Sequence, residues 1–114
     1  MIESLLSEER KMFKDTVRRF AENQIMPFVK NWEKQRKYPD EYYKKISEMG
    51  FMGLMVPEKY GGMGGSLVDV VILGEEMGRA GVSIPVTHIS ACCRTIARHG
   101  TEEQKSHYPI EQPI

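Results

Sequence analysis

Apolar residues recur every three or four positions along the first third of the chain. The series comprises Phe13, Val17, Phe20, Ala21, Ile25, Phe28, Val29 and Trp32. This spacing is the period of one face of an α-helix, so it predicts a long amphipathic helix that begins after Ser7. Ser7 suits the N-cap position. Pro27 removes one backbone donor, which should bend or divide the helix near residues 23–24.

The following segment, residues 40–49, shows the helical period over a shorter length. Pro39 suits the first turn of this helix, and Gly50 suits a position just beyond its C-terminal end. We therefore predict a second, shorter helix, followed by a possible extended piece at residues 54–56. The apolar side of the helix would comprise Tyr43, Ile46 and Met49.

A third helix is predicted after a glycine-rich stretch. Ser66, with Asp69 three residues later, matches the capping-box pattern that begins many helices. The helix then runs through apolar residues toward Arg79. Residues 67–74 carry a single charge, so we expect this part to be buried on more than one side.

Two helices complete the pattern. One opens at Ser83 or Ile84 and ends at Gly100, with Ala91, Cys92, Thr95 and Ile96 predicted on its inner face. Residues 101–104 match a second capping box, which predicts a short final helix that Pro109 ends. The pattern as a whole predicts an all-α fold, with about four to five helices in an orthogonal or up-down bundle.

Composition narrows the function classes. The 114 residues include 16 basic and 16 acidic side chains, so the net charge is zero and there is no electrostatic footprint for nucleic acid. The longest apolar stretch is too short for a membrane span, and the first residues lack a signal-peptide layout. The only cysteines, Cys92 and Cys93, are adjacent and cannot form a secreted-type disulfide framework. We expect a cytoplasmic protein.

The glycine-rich stretch, Gly61-Gly62-Met63-Gly64-Gly65, could in principle cradle a phosphate group. Its spacing does not match a dinucleotide-binding loop, and no lysine follows as a phosphate-binding loop requires. The pattern favours a compact loop in which several glycines adopt positive φ so that the next helix can begin at Ser66.

Two other groups of residues could carry chemistry. His88 and Cys92 lie four apart on one helical face, but two ligands without a further pair do not make a zinc site. Glu75 and Glu76 diverge by about 100° around the helix axis, so they cannot both serve one reacting centre. A salt bridge from one of them to Arg79 is the favoured interpretation.

Several segments in chain order resemble one protein family. They are MGFMGLMVPEKYGGMGG, EEMGRAGVS, His88 on the next helix, and HGTEEQKSHY. Together these segments resemble the amino-terminal helical domain of the acyl-CoA dehydrogenases, from about Leu6 to Tyr108. Because the family has further domains, the resemblance implies that residues 1–114 are one helical domain, without the β-rich middle domain and the C-terminal helical domain.

The resemblance also implies a function. Family members remove an α-proton from an acyl-CoA with a glutamate base while a hydride passes from the β-carbon to FAD. The base and much of the flavin site belong to the other domains, so no catalytic residue is assigned here and the isolated chain is expected to be inactive. By resemblance, the residues that line the acyl pocket would be Ser83, Ile84, Thr87 and Ala91. The implied partners are acyl-CoA, the remaining dehydrogenase domains and further copies of the chain.

A second hypothesis is a non-catalytic helical module that self-associates or binds a protein partner. Its contact surface would be an exposed apolar patch formed with parts of the helix at residues 67–77. The other members of that patch would be Phe51, Met52, Leu54, Met55 and Val56. A carrier that holds an acyl chain without chemistry is a third hypothesis, but it would need a closed cavity.

Overall fold

The computed structural model describes residues 2–83 and 86–111, and every regular element in this part of the chain is helical. Short 3-10 helices cover Ile2–Leu5, Phe51–Gly53 and Glu58–Tyr60. A π-helical turn, Ala21–Ile25, joins the first two α-helices into one continuous segment, so the bundle has five long helical segments. The all-α prediction is confirmed. The α-helices are α1 (Glu8–Phe20), α2 (Met26–Gln35), α3 (Asp40–Glu48), α4 (Leu67–Arg79), α5 (Val86–His99) and α6 (Glu102–Glu111).

The long first helix begins and changes its winding where the sequence predicts. The Ser7 Oγ accepts a hydrogen bond of 3.3 Å from the backbone N–H of Arg10, which makes Ser7 the N-cap. The π turn spans the predicted break, and Pro27 lies in the first turn of α2, where its missing N–H costs little. Ala21 and Ile25 of the π turn are both buried in the core.

The core lies between α1, α3, α4 and the segment that follows α3. Phe51 is 1% exposed and meets the ring of Phe20 edge-on, with 5.5 Å between centroids. Its neighbours Met52, Leu54 and Val56 are also buried. The predicted extended piece and the predicted apolar patch at residues 51–56 are therefore wrong. A 3-10 helix and a turn direct these side chains inward, where a strand would have left alternate ones outside.

Helix α4 is buried on one side only, which corrects the expectation from its low charge. Its inner residues Ile72, Leu73 and Met77 are at most 2% exposed. Exposed apolar side chains cover the opposite side: Leu67, Val68 and Val71. Among the described residues α4 packs mainly against α1, and more lightly against α5, so its outer face has no covering helix.

A buried ion pair joins α4 to α1. Glu76 is 3% exposed, and its carboxylate accepts two hydrogen bonds of 3.1 Å from the guanidinium of Arg18. The ammonium of Lys14 lies 3.9 Å from Glu76 Oε1, and Arg79 Nη1 lies 3.8 Å from Oε2. The predicted salt bridge to Arg79 is confirmed. The stronger partner, Arg18, comes from a different helix and was not predicted.

The glycine-rich stretch forms a tight loop over the core. Gly61 and Gly64 have φ values of +85° and +65°, as predicted for a loop that must turn sharply. Gly62 is constrained differently, because a β-carbon there would overlap the carbonyl oxygen of Val56. The loop ends at Ser66, whose backbone N–H donates to Asp69 Oδ2 at 2.7 Å, which confirms the predicted capping box.

The last helix starts as predicted but ends later. Thr101 N–H donates to Gln104 Oε1 at 2.9 Å, and Gln104 N–H donates to Thr101 Oγ1 at 3.1 Å. Helix α6 continues to Glu111, so the prediction that Pro109 ends it is wrong. A proline inside a helix removes one backbone donor, and a helix close to its end can continue without that hydrogen bond.

Two glycine-to-alanine changes should have opposite effects on stability. We expect Gly62→Ala to lower the free energy of unfolding by roughly 1 to 3 kcal/mol, because its methyl group would overlap the backbone at Val56. Gly74→Ala should raise it by about 0.5 to 1 kcal/mol, since nothing lies within 4 Å of the added carbon in α4. Urea unfolding of both variants measures this, and equal effects would contradict the described loop packing.

Removing the charge of Glu76 should destabilise the bundle. Glu76→Gln removes the buried carboxylate charge that Arg18 binds and Lys14 approaches, so we expect a loss of about 3 kcal/mol in the free energy of unfolding. Glu75→Gln is the matched control: this neighbour is exposed, and its change should stay within about 0.5 kcal/mol. Thermal unfolding at constant pH compares the two, and a similar loss in both would rule out the role of the buried pair.

Candidate functional site

The four residues predicted to line an acyl pocket lie at and after the start of α5. Ser83 immediately precedes the short gap in the described residues and is exposed. Thr87 and Ala91 both belong to α5, four residues apart and therefore on the same side of the helix. Ala91 is exposed, the side chain of Thr87 is outside the description, and Ile84 lies outside the described residues.

Two tyrosine hydroxyls bind the backbone of Ser83. The Tyr42 hydroxyl donates a 2.6 Å hydrogen bond to the carbonyl oxygen of Ser83, and the backbone N–H of Ser83 donates to the Tyr38 oxygen at 2.9 Å. Tyr42 is fully buried in α3, and this burial raises the pKa of its phenol well above the ordinary value, so the hydroxyl keeps its proton. Both backbone groups of Ser83 thus have a side-chain partner.

These tyrosines were not identified from the sequence, because the spacing in α3 fits either Tyr42 or Tyr43. The predicted apolar side of α3 was built on Tyr43, yet Tyr42 lies four residues before the buried Ile46 and shares its face. Tyr43 is only partly buried. Spacing cannot distinguish adjacent tyrosines when either completes a helical face, so only the packed structure shows which hydroxyl is inside.

The predicted inner face of α5 is largely wrong. Of the four residues assigned to it, Ala91, Cys92 and Thr95 are exposed, and only Ile96 is half-buried. Among the α5 side chains that the structure describes, the buried one is Cys93, which is 6% exposed and packs with Val56 and Tyr60. Because α5 packs against the 3-10 helix at Phe51–Gly53 and against α6, the face that carries Ala91 points away from the core.

The cleft beside the glycine-rich loop does not suit a phosphate group. It has a volume of about 450 Å³ and is lined in part by Glu9, Glu58 and Asp69. Its arginine, Arg10, lies 3.5 Å from Asp69 and donates a 3.0 Å hydrogen bond to Ser66 Oγ. The three carboxylates would repel an anion, and the arginine that could attract one is already paired with Asp69. This arrangement agrees with the loop interpretation of the glycines.

The other candidate residues, His88 with Cys92 and Glu76, do not form a metal site or a catalytic site among the described residues. His88 and Cys92 are both exposed on α5, and the described residues contain no group of three histidine, cysteine or acidic side chains that could hold a metal. Glu76 is surrounded by the cations of α1 and α4, as a structural carboxylate would be. Within the described part of the chain, no helix is both long and apolar enough to cross a membrane.

The described residues form a helical domain in which Ser83, before α5, and Ala91, within it, are exposed, and comparison with known proteins identifies its family. Residues 7–109 match the family model for the acyl-CoA dehydrogenase N-terminal domain. The short-chain specific acyl-CoA dehydrogenase of Clostridium acetobutylicum is 36% identical over 109 residues, which are 92% of this chain and 28% of that protein. The long-chain specific mitochondrial enzyme of Rattus norvegicus is 30% identical over 105 residues, 90% of this chain and 24% of that protein.

A solved structure also matches. It is described as the electron transferring flavoprotein of Acidaminococcus fermentans, and it superposes with a TM-score of 0.80 and 32% identity over 95% of this chain and 29% of the other. The chain therefore belongs to the acyl-CoA dehydrogenase family and corresponds to its N-terminal domain. It spans about a quarter of the length of the relatives it matches.

The two adjacent cysteines should differ in reactivity. Burial raises the pKa of the Cys93 thiol, and the neighbouring Cys92 adds to the rise, whereas Cys92 itself is exposed. Because the thiolate is the reactive form, iodoacetamide at pH 8 should label one thiol of the native chain, at Cys92, and both thiols after unfolding. Peptide mass spectrometry locates the label, and Cys92→Ser should abolish the native reaction.

The same shift has a consequence for stability. A thiol whose pKa is higher in the folded state binds its proton more tightly there, so its contribution to stability declines as the pH rises above the ordinary thiol pKa.

In the iodoacetamide experiment, equal labelling of Cys92 and Cys93 in the native chain would contradict the burial of Cys93.

Proposed function

We propose that this chain acts as the N-terminal helical domain of an FAD-dependent acyl-CoA dehydrogenase and forms part of the wall of its acyl pocket. The residues assigned to that wall are Ser83, Ile84, Thr87 and Ala91. The complete enzyme would introduce an α,β double bond into an acyl-CoA thioester and would assemble from several copies. In it, residues 1–114 would form one domain beside the middle and C-terminal domains.

The observation that carries this proposal is the exposed face of α5 in a domain whose family is known. Ala91 points away from the core, and the preceding Ser83 is also exposed. Neither side chain is used to stabilise the domain itself. A helix that turns small side chains outward can approach a bound acyl chain closely and leave room for it, which a helix with large side chains could not do.

FAD, when bound, would accept the hydride in this reaction. The cleft beside the glycine-rich loop does not suit it, because the carboxylates that line this cleft would repel the flavin's phosphates. We therefore assign no flavin contact and no proton transfer to this chain. Its part is to limit the space for the acyl chain and to exclude water from it, which strengthens the electrostatic interactions of the reacting groups.

The exposed apolar side chains of α4 support a related role. Leu67, Val68 and Val71 are each at least 40% exposed and form an uncovered face of the helix. Contact with another domain of the same enzyme would remove this apolar area from water. The competing hypothesis of a self-associating module loses most of its predicted patch, because Phe51, Met52, Leu54 and Val56 are buried.

A larger side chain at position 91 should shorten the acyl chains that the enzyme accepts. In the protein expressed from its complete gene, we expect Ala91→Leu to lower kcat/KM for the longest accepted acyl-CoA by roughly 10- to 100-fold relative to the shortest, since each mismatched methylene costs about 1 to 3 kcal/mol. The measurement is oxidation of acyl-CoA thioesters of increasing length with an artificial electron acceptor.

Ser47→Leu is the matched control, because it adds a similar side chain at an exposed position of α3. It should leave the chain-length profile unchanged. An unchanged profile in Ala91→Leu would remove α5 from the pocket wall, and a wild-type protein that oxidises no acyl-CoA would overturn the proposed activity.

A further inference from the structure

The connection between α4 and α5 is fixed at successive residues. Gly81 has a φ of +88°, which reverses the chain after α4. The backbone N–H of Val82 then donates to the carbonyl oxygen of Met77 at 3.2 Å, and the Val82 side chain is buried. Ser83 follows with both of its backbone groups bound to tyrosine hydroxyls. Little freedom remains in the backbone up to Ser83, the last described residue before α5.

The two hydroxyls are themselves held by aromatic packing. The rings of Tyr38 and Tyr42 stack with centroids 4.5 Å apart and an interplanar angle of 25°. The indole of Trp32 meets Tyr42 at 5.3 Å and Tyr38 at 6.2 Å, both edge-on. Because this packing confines both rings, it also restricts where the two hydroxyl oxygens can lie. They can hold the Ser83 peptide groups in one orientation.

We propose that Tyr38 and Tyr42 are positioning residues for the acyl pocket, whose hydroxyl groups set the place and direction at which α5 begins. The inference rests on the proposed function, since it assigns consequences to the pocket wall on α5. Neither tyrosine is required to touch the substrate. They act through Ser83, the first wall residue, and through it on the position of Thr87 and Ala91.

Ser83 is the last described residue before α5, so its position bears directly on where the helix starts. Of the α5 side chains that the structure describes, Cys93 and the half-buried Ile96 pack toward the interior, whereas His88 and Ala91 are exposed. Neither His88 nor Ala91 is held by burial, so their position depends on the backbone that leads into the helix. Loss of a hydrogen bond at Ser83 would allow this segment to shift, and with it the residues that face the acyl chain.

Tyr42→Phe isolates the hydroxyl, because it keeps the stacked ring and removes only the donor to the Ser83 carbonyl. Tyr38→Phe removes the acceptor for the Ser83 N–H in the same way. Tyr43→Phe is the matched control: Tyr43 packs edge-on against both tyrosines, with centroids 5.2 Å from Tyr42 and 6.4 Å from Tyr38, and its hydroxyl does not bind Ser83. All three variants keep the aromatic area.

Hydrogen exchange tests the positioning without any need for activity. We expect the Ser83 amide to exchange roughly 3- to 10-fold faster in Tyr38→Phe and in Tyr42→Phe than in the wild type, the ratio that corresponds to one lost hydrogen bond. Tyr43→Phe should exchange at the wild-type rate. An unchanged Ser83 amide in both of the first two variants would overturn the proposal.

Acyl-chain selectivity tests the consequence for the pocket. In the protein from its complete gene, Tyr42→Phe should change the ratio of kcat/KM between the longest and shortest accepted acyl-CoA by roughly 3- to 10-fold, with a smaller change in kcat for the best substrate. Tyr43→Phe should keep the ratio of the wild type. A purely structural role would lower stability without moving this ratio.

The outcomes separate the inference from the proposed function. Faster exchange at Ser83 with an unchanged selectivity ratio would overturn the specificity role, although the enzyme would still be a dehydrogenase. A wild-type protein without acyl-CoA oxidation would overturn the proposed function, and the exchange rates would still decide whether the tyrosines position α5. If Tyr42→Phe does not fold, Tyr38→Phe provides both measurements.

Discussion

A buried carboxylate, Glu76, links the two helices at the centre of the bundle. Helix α4 carries this carboxylate into a position that is 3% exposed, where an uncompensated charge would cost several kcal/mol. The compensation comes from α1, because Arg18 binds both carboxylate oxygens and Lys14 lies nearby. Those two residues lie four apart on one face of α1, so the ion pair favours a packing in which this face of α1 meets α4.

The position of α4 is in turn transmitted to α5. The end of α4 supplies the Met77 carbonyl that fixes Val82, while Tyr42 of α3 and Tyr38 of the α2–α3 connection supply the hydroxyls that fix Ser83. The helix proposed to meet the substrate is therefore placed by two independent parts of the fold. One is the ion pair between Arg18 of α1 and Glu76 of α4. The other is the aromatic packing that holds the hydroxyls of Tyr38 and Tyr42.

The glycine-rich loop packs over the core, although its composition could suggest a phosphate-binding loop. Gly62 lies against the backbone of Val56, and Tyr60 donates a 3.0 Å hydrogen bond to Glu102 at the start of α6. That hydrogen bond lowers the pKa of the Glu102 carboxyl below its ordinary value. The loop thus covers the core and connects to the final helix. Its glycines are explained by close packing and positive φ, with no need for a bound phosphate.

The sequence by itself determined the helical class, the caps at Ser7, Ser66 and Thr101, and the break before Pro27. These features depend on residues within one or two turns of each other, so local spacing contains the information. Its motifs also determined the family. Local spacing failed where two faces of a helix were similarly apolar or similarly small, as for α4 and α5.

Only the tertiary structure decided which side of each helix became the interior. It buried Tyr42 where spacing had favoured Tyr43, and it turned Ala91 outward. It also joined Arg18 to Glu76 across 58 positions of the chain. Which side of a helix is buried depends on the total apolar area removed from water and the charges paired when all helices pack together. This total cannot be calculated from any single segment of the sequence.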